Sequence, residues 1–164
     1  MAQLKRILAP VDFSAGSDGA FAYAMRLAQQ FGASVEVLHV VAPPAYAMPF
    51  VSIEAQSLSF DAYARGVASV ELQEFLTQQR RGTDIAVSGR LEFGDPAQVI
   101  AKVAAERGID LIVMGTHGRT GLSHLLVGSV AEKVVRHARC PVLSVPLPKA
   151  PVLRPAMETL NATH

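Results

Sequence analysis

Five short apolar runs recur along the chain, and each of the first four is followed by a longer stretch with helical spacing. Apolar runs of this length, bounded by glycine or proline, are typical of strands buried inside a sheet. The alternation of strand and helix predicts a mostly parallel sheet with right-handed crossovers and helices on both faces, a doubly wound α/β fold. We expect the five strands at residues 5–11, 35–41, 85–93, 109–114 and 141–145, with 85–93 at an edge because it alternates apolar and polar residues.

Capping residues indicate where the helices begin and end. Ser14 or Ser17 is placed to cap the first helix, and Gly32 is placed to end it. Asp95 followed by Pro96 is a typical start for the third helix, since an acid caps the terminus and proline fits the first helical position. The fourth helix is expected over residues 129–138.

Two segments lack a regular pattern. Residues 43–57 contain three prolines and are interpreted either as a flap or as a linker, with the second helix expected from Glu54 or Leu58 to Arg80. Residues 147–164 contain three more prolines, which disfavour regular structure, so we expect an irregular tail after a domain that spans residues 1–146.

The composition narrows the class of protein. The 164 residues fit one domain, and the net charge of +1 comes without a stripe of lysine and arginine, so a nucleic-acid groove is not expected. Cys140 is the only cysteine, which excludes an intramolecular disulfide and fits a reducing compartment. No stretch approaches the roughly 18 apolar residues of a membrane span. The sequence therefore predicts a cytoplasmic protein without membrane or nucleic-acid partners.

A strand, a glycine-rich loop and the start of a helix follow one another around Gly115. Together with Gly118 and Gly128, this glycine would let a phosphate approach the backbone, and the following helix offers unpaired N–H groups to an anion. Ser129 either caps the helix in a capping box with Glu132 or donates its hydroxyl to a phosphate oxygen. Spacing alone leaves open a phosphate site and a structural glycine turn. No lysine follows the glycines at the spacing of a P-loop, so a P-loop is excluded.

Asp12 follows the first strand directly, as Gly115 ends the fourth. Ligands of doubly wound sheets bind outside the carboxyl ends of the strands, where the strand order reverses. The two residues would therefore converge if strands 1 and 4 are neighbours. A carboxylate close to phosphates has to bond to ribose or adenine, or to lie beside Mg²⁺. The alternative is that Asp12 caps the first helix.

Four other side chains could contribute chemistry. Arg119 in the glycine loop is either a phosphate clamp or a solvated arginine. His117 and His124 flank it, and either could be a general base, although neither has an identifiable orienting acid. His39 in the second strand is interpreted as a hydrogen-bonded residue of the sheet.

The glycine spacing resembles the nucleotide-binding signature of the universal stress protein family. The match consists of Gly115, two residues, Gly118, nine residues, then Gly128 and Ser129, and the opening KRILAPVDFS is also similar. The similarity covers about residues 4–146. It implies a Rossmann-like, five-stranded parallel sheet in the order 3-2-1-4-5, which sets strands 1 and 4 side by side. Because all the glycines of the ATP-binding members are present, it also implies ATP, with Mg²⁺ as a candidate cofactor.

The same resemblance assigns roles to residues. Gly115, Gly118, Gly128 and Ser129 would hold the phosphates and ribose, and Val130 would add a backbone contact. Asp12 is also the candidate Mg²⁺ ligand. The remaining members of the predicted nucleotide site are Met114, Arg119 and the residues that would surround adenine and ribose, which are Pro10, Val11, Asp12 and Val40.

Three functions stay open at this stage. The first is a regulatory module that binds ATP or AMP without efficient chemistry, and the second is a slow Mg²⁺-dependent ATPase or a phosphate- or adenylate-transfer enzyme. The third is a nucleotide-free structural dimer. The last strand would expose an edge with Val142, Leu143 and Val145, which predicts a homodimer formed through that edge, as the resemblance also implies.

Overall fold

The computed structural model describes residues 3–42, 53–116 and 128–146, which form a parallel sheet covered by helices on both faces. The strand order is β3-β2-β1-β4-β5, so the expected order and the side-by-side placement of strands 1 and 4 are confirmed. The elements in chain order are β1 (Arg6–Val11), α1 (Ala15–Phe31), β2 (Ser34–Val41), α2 (Ile53–Gln79), β3 (Val87–Phe93), α3 (Pro96–Glu106), β4 (Leu111–Gly115), α4 (Ser129–His137) and β5 (Val142–Val145).

The sheet divides the core into two halves because successive side chains of a strand point to opposite faces. On one face, Ile7 and Val113 of the two central strands pack with α1 and α2. On the other face, Leu8 and Ile112 pack with α3 and α4. These four side chains are fully buried. Burial of one such side chain contributes roughly 1.5–3 kcal/mol, so the central strands are a rigid base for whatever lies at their ends.

Local hydrogen bonds explain the helix boundaries. Ser14 caps α1 and Ser17 completes a capping box, so both candidates take part, and Gly32 ends the helix with φ of 67°. The Asp95 carboxylate accepts a hydrogen bond from the N–H of Gln98 at 3.0 Å and caps α3 as expected.

Several boundaries differ from the sequence-based expectation by a single residue, and the starts of α2, β3 and β4 differ for identifiable reasons. Helix α2 already begins at Ile53, so residues 53–57 are helical rather than irregular. Strand β3 begins at Val87 because the N–H of Ile85 bonds to the hydroxyl of Thr83 in the preceding turn. Strand β4 begins at Leu111 because the N–H of Ile109 bonds to the carbonyl of Ala104 and so completes the end of α3. Residues 43–52 and the expected tail, 147–164, lie outside the described residues.

Strand β3 lies at the edge of the sheet, as its alternating pattern predicts, and a charge cluster fastens it to β2. Arg90 contacts Glu36 at 2.8 Å and Glu92 at 3.0 Å. These hydrogen bonds, that to Glu36 first, raise the pKa of Arg90 above its ordinary value. Arg107 lies 3.3 Å from the other oxygen of Glu36.

Among the residues described, no helix combines the length and the apolar character that a membrane crossing requires.

Candidate functional site

The seam between β1 and β4 loses its backbone pairing toward the carboxyl ends of the two strands, and this unpaired part of the seam is called the crevice. The register joins Ile7 to Leu111 and Leu8 to Ile112, and the pairing goes no further. The carbonyl of Arg6 accepts a hydrogen bond from the N–H of Asp110, the residue directly before β4. Alternate residues of a strand direct their backbone groups to the same neighbour, so Pro10 also faces β4. Proline has no N–H and cannot extend that ladder. The pairing of the two strands thus ends before their carboxyl ends, at the point where the strand order reverses.

The strands on either side of this crevice stay paired with their other neighbours. Strand β1 remains in register with β2 as far as Val11, opposite His39. Strand β4 remains in register with β5 as far as Gly115, opposite Val145. The opening is therefore confined to the β1–β4 seam, and its two walls are the segments that follow Val11 and Gly115.

Asp12 forms the first wall. Its carboxylate accepts hydrogen bonds from the backbone N–H of Ser14 at 3.2 Å and from the Ser14 hydroxyl at 2.5 Å. Ser14, and not Asp12, is the N-cap of α1, so the interpretation of Asp12 as the helix cap is wrong. The reason is that the turn at residues 12–14 delays the helix by two residues, and this leaves Asp12 at the end of the strand.

Phe13 adopts a conformation that is rare for its type. Its φ is 59°, and in the described residues it is the only non-glycine residue with a positive φ. Such a conformation costs of order 1–3 kcal/mol unless the surroundings compensate for it. The Phe13 ring packs on the ring of His39, with 4.6 Å between centroids. Sequence reasoning missed this residue, since a phenylalanine after a strand carries no signal of left-handed backbone.

His39 is buried and hydrogen-bonded, as expected from the sequence. Its Nδ1 lies 2.8 Å from the carbonyl oxygen of Val11. A carbonyl oxygen only accepts, so Nδ1 carries the proton in this contact. The bond ties β2 to the last residue of β1, directly before Asp12.

The second wall is the junction between β4 and α4. The N–H of Thr116 donates to the carbonyl of Val145 at 3.1 Å, and the N–H of Gly128 donates to the carbonyl of Thr116 at 2.6 Å. The start of α4 is therefore fixed to the carboxyl end of β4.

The expected capping box at α4 is wrong by one residue. Gly128 is the N-cap, with φ of −53° and ψ of 144°, and no side chain caps the helix. Ser129 is thus the first helical residue and is exposed, and Glu132 lies one position beyond the place that a capping box requires. Glu132 pairs with Arg136 at 2.9 Å instead. Of the two roles considered for Ser129, the capping role is therefore wrong, because its hydroxyl does not cap the helix.

An uncapped helix start has a defined electrostatic character. The N–H groups of Ser129, Val130 and Ala131 have no partner within the helix, since the first internal bond runs from the N–H of Glu132 to the carbonyl of Gly128. The helix dipole adds the equivalent of about half a positive charge at this end. The junction is suited to an anion that lies at the carboxyl edge of β4.

The other predicted site residues differ in what they expose. Val11 and Met114 are each only 5% exposed, and their side chains belong to opposite halves of the core. They could meet a ligand only through their backbone. Pro10 is buried, and Val40 is half-buried at the end of β2. Gly118 and Arg119 lie outside the described residues, as do His117 and His124.

The donor set available for a metal is small. Within residues 3–42, 53–116 and 128–146, no three acidic, histidine or cysteine side chains are grouped as a metal site requires. Asp12 supplies one carboxylate at the crevice. This fits Mg²⁺, which is often held by one or two carboxylates together with substrate phosphates and water.

Comparison with known proteins assigns the chain to one family. A sequence profile of the universal stress protein family matches residues 3–146. A universal stress protein of Methanocaldococcus jannaschii is 36% identical over 148 residues, which cover 88% of this chain and 84% of that protein.

Solved structures share the same fold. The universal stress protein UspA from Lactobacillus plantarum superimposes with a TM-score of 0.68 at 30% identity, over 88% of this chain and 99% of that one. A universal stress protein family member from Arabidopsis thaliana, solved with AMP bound, has a TM-score of 0.57 at 21% identity, over 87% of this chain and 91% of that one. At 21% identity, the likeness to the Arabidopsis structure concerns the fold alone.

Proposed function

Because this chain belongs to the universal stress protein family, we propose that it is a regulatory protein that binds ATP in the crevice between β1 and β4. The observation that carries the proposal is the uncapped start of α4 at the carboxyl edge of β4. A helix terminus of this kind is a ready anion site, and the adjoining crevice lies where doubly wound sheets take their ligands.

The phosphates would occupy the second wall. The N–H groups of Ser129 and Val130 point out of the helix start, and the exposed Ser129 hydroxyl is free to donate to a phosphate oxygen. Gly115 and Gly128 would let the phosphates approach the backbone. Gly118 and Arg119 complete this part of the proposed site.

The base and ribose would occupy the first wall and the end of β2. Val40 offers a half-buried apolar surface, and Pro10 and Val11 offer backbone on the other side. The Asp12 carboxylate would accept hydrogen bonds from the ribose hydroxyls. AMP in a protein of the same fold supports an adenine nucleotide as the occupant.

Mg²⁺ is proposed as the companion of the triphosphate. It would neutralise phosphate charge and offset the repulsion between the phosphates and Asp12, which is the single carboxylate proposed to hold it.

The described side chains favour binding over catalysis. A general base has to lie within hydrogen-bond reach of the proton that it removes. His39 is only 7% exposed, and its ring packs against Phe13, so a ligand in the crevice has little access to it. Nucleotide occupancy would therefore act by ordering the crevice and changing the surface that partners meet.

A homodimer through β5 is part of the same proposal. Strand β5 is the terminal strand, so one side of its backbone has no neighbour among the described residues. Leu143 is 38% exposed on this strand, and Val135 is 55% exposed on the adjacent α4. An edge with apolar flanks suits pairing with a second copy about a two-fold axis. We place this dimer in the cytoplasm.

The test is direct titration of the full chain with ATP by calorimetry, with and without Mg²⁺, together with mass spectrometry of any nucleotide released on denaturation. Gly128→Val places a bulky side chain at the helix start and should weaken ATP binding about tenfold or more, since phosphate hydrogen bonds of about 1 kcal/mol each are lost. The matched control is Gly66→Ala in α2, where an added Cβ meets nothing within 4 Å and affinity should not change.

Two results would overturn the proposal. The first is a native chain that carries no nucleotide and shows no heat of binding at millimolar ATP. The second is steady Mg²⁺-dependent release of phosphate from ATP that Asp12→Ala abolishes, because that result would make the protein an enzyme.

A further inference from the structure

Four rings form a continuous file from the crevice into the core. His39 packs on Phe13, with 4.6 Å between centroids, and Phe13 packs on Phe75, with 5.8 Å. Phe75 then meets Phe21 edge-on at 5.1 Å. The file starts on β2, passes through Phe13, the residue that follows Asp12, and then through Phe75 on α2 to Phe21 on α1.

Every residue next to Asp12 is fixed by a separate contact. Val11 is held by the hydrogen bond from His39, and Ser14 is held by the capping box with Ser17. Phe13 is held by its two ring contacts. The backbone of Asp12 therefore has little freedom, and its carboxylate is directed by the two donors of Ser14.

The choice of phenylalanine at position 13 is not explained by packing alone. A position with φ of 59° favours glycine or asparagine, which adopt it at little or no cost. Phe13 is only partly buried, so it gains less from burial than a core phenylalanine such as Phe21, which is 3% exposed. The contacts of the Phe13 ring with His39 and Phe75 offset the cost of its backbone conformation and fix the turn against β2 and α2.

We propose that Phe13 and His39 are positioning residues for the nucleotide, which hold the Asp12 carboxylate in its orientation at the crevice without touching the ligand themselves. This inference rests on the proposed function, since it concerns the same crevice. It adds that ATP affinity depends on the Phe13–His39 contact through Asp12.

The experiment is a double-mutant cycle on ATP affinity, measured by calorimetry on the full chain. Phe13→Asn keeps a residue that tolerates the left-handed backbone and removes the ring. In the chain with Asp12 it should weaken ATP binding about tenfold, whereas in the Asp12→Ala chain it should change affinity less than about twofold. Phe13→Tyr keeps the ring and should restore the affinity.

Two further variants separate the two parts of the contact. His39→Phe keeps a ring under Phe13 and removes the donor to Val11, and His39→Gln keeps a donor and removes the ring. Each should weaken ATP binding less than Phe13→Asn does, because each keeps the Phe13 ring and its contact with Phe75. Phe21→Leu, at the far end of the file, should lower the midpoint of thermal unfolding and leave the affinity unchanged.

The outcomes distinguish the inference from the proposed function. A native chain without ATP affinity overturns both. A native chain that binds ATP, with equal losses from Phe13→Asn in both Asp12 backgrounds or with no loss in either, overturns this inference alone. If Asp12→Ala abolishes binding, tripolyphosphate in the absence of Mg²⁺ decides the matter. It lacks ribose and base, and should bind Phe13→Asn and the native chain equally; an equal loss for tripolyphosphate and ATP overturns the inference.

Discussion

The N–H of Gly128 donates to the carbonyl of Thr116 at 2.6 Å, and this bond joins the N-cap residue of α4 to the residue that follows β4. The hydrogen bond from Thr116 to Val145 continues the connection into β5. The helix start is thus anchored to the sheet by its own backbone, whatever the conformation of residues 117–127. The anion site proposed at this terminus would therefore be in place before a ligand binds.

Ser129→Asp should raise stability and lower nucleotide affinity at the same time. A carboxylate in the first turn of α4 stabilises the helix dipole by about 0.3–1 kcal/mol, but it repels phosphates at the same place. Thermal unfolding without ligand should move upward, and calorimetry should show weaker ATP binding. Ser129→Ala is the control for the lost hydroxyl. Undiminished ATP affinity in Ser129→Asp would show that the phosphates lie elsewhere.

Asp110 should make stability depend on acid pH. Its carboxylate accepts hydrogen bonds from the N–H groups of Lys5 at 2.8 Å and Arg6 at 2.9 Å, and these bonds lower its pKa. A lowered pKa in the folded chain gives stability that is present above the unfolded pKa of about 3.9 and is lost as the pH falls through the folded pKa.

Asp110→Ala measures this contribution. The native chain should exceed the variant in free energy of unfolding at neutral pH by about 1 kcal/mol or less, because the site is exposed, and the difference should shrink below about pH 4. Denaturant titrations at several pH values provide the measurement. A constant difference between the native chain and Asp110→Ala at all pH values would contradict the assignment.

Gly89→Ala should destabilise the edge of the sheet. A Cβ at this position of β3 would overlap the Cδ1 atom of Leu76 and approach its Cγ within 3.2 Å, and Leu76 is only 2% exposed. Overpacking of this kind costs typically about 1–3 kcal/mol, measured as a loss in free energy of unfolding. Gly66→Ala in α2 should change stability in the opposite direction, by about 0.5–1 kcal/mol, since it removes a helical glycine without a clash. Equal effects of the two substitutions would argue against the close packing of α2 on β3.

Leu143→Lys should convert the proposed dimer to a monomer. A charge on the β5 edge disfavours pairing with a second copy, and the folded subunit should keep its stability because Leu143 is 38% exposed. Sedimentation velocity at micromolar concentration gives the oligomeric state. Val70→Lys is the control, since Val70 is 57% exposed on α2, away from β5. A native chain that is already monomeric would contradict the dimer.

The sequence predicts the strands and most caps well because each depends on a local pattern. Asp95 with Pro96 marks the start of α3, and Gly32 marks the end of α1, where a positive φ requires it. The order of the strands is not local and came from the resemblance to a known family. The capping residue of α4 was missed by one position, since Ser129 and Glu132 have the spacing of a capping box but Gly128 is the N-cap and Ser129 the first helical residue.

The candidate site was less predictable than the fold. That Asp12 and Gly115 end adjacent strands follows from topology, and the structure bears out that adjacency. Phe13 could not be anticipated, because its backbone conformation opposes its own preference and is imposed by contacts with residues distant in sequence, His39 and Phe75. The effect of Pro10 on the sheet could not be anticipated either, because it depends on which neighbouring strand an N–H at this position would have faced.

Pro10 makes the crevice a property of the main chain. A central strand lacks one backbone donor on the side that faces β4, and no substitution of a lining side chain would supply it. Helix α1 contacts both β1 and β4 and so holds together the three-stranded and two-stranded parts of the sheet that meet there. The proposed nucleotide site could therefore be redesigned at positions such as Val40 or Ser129 while the interruption of the β1–β4 pairing stays in place.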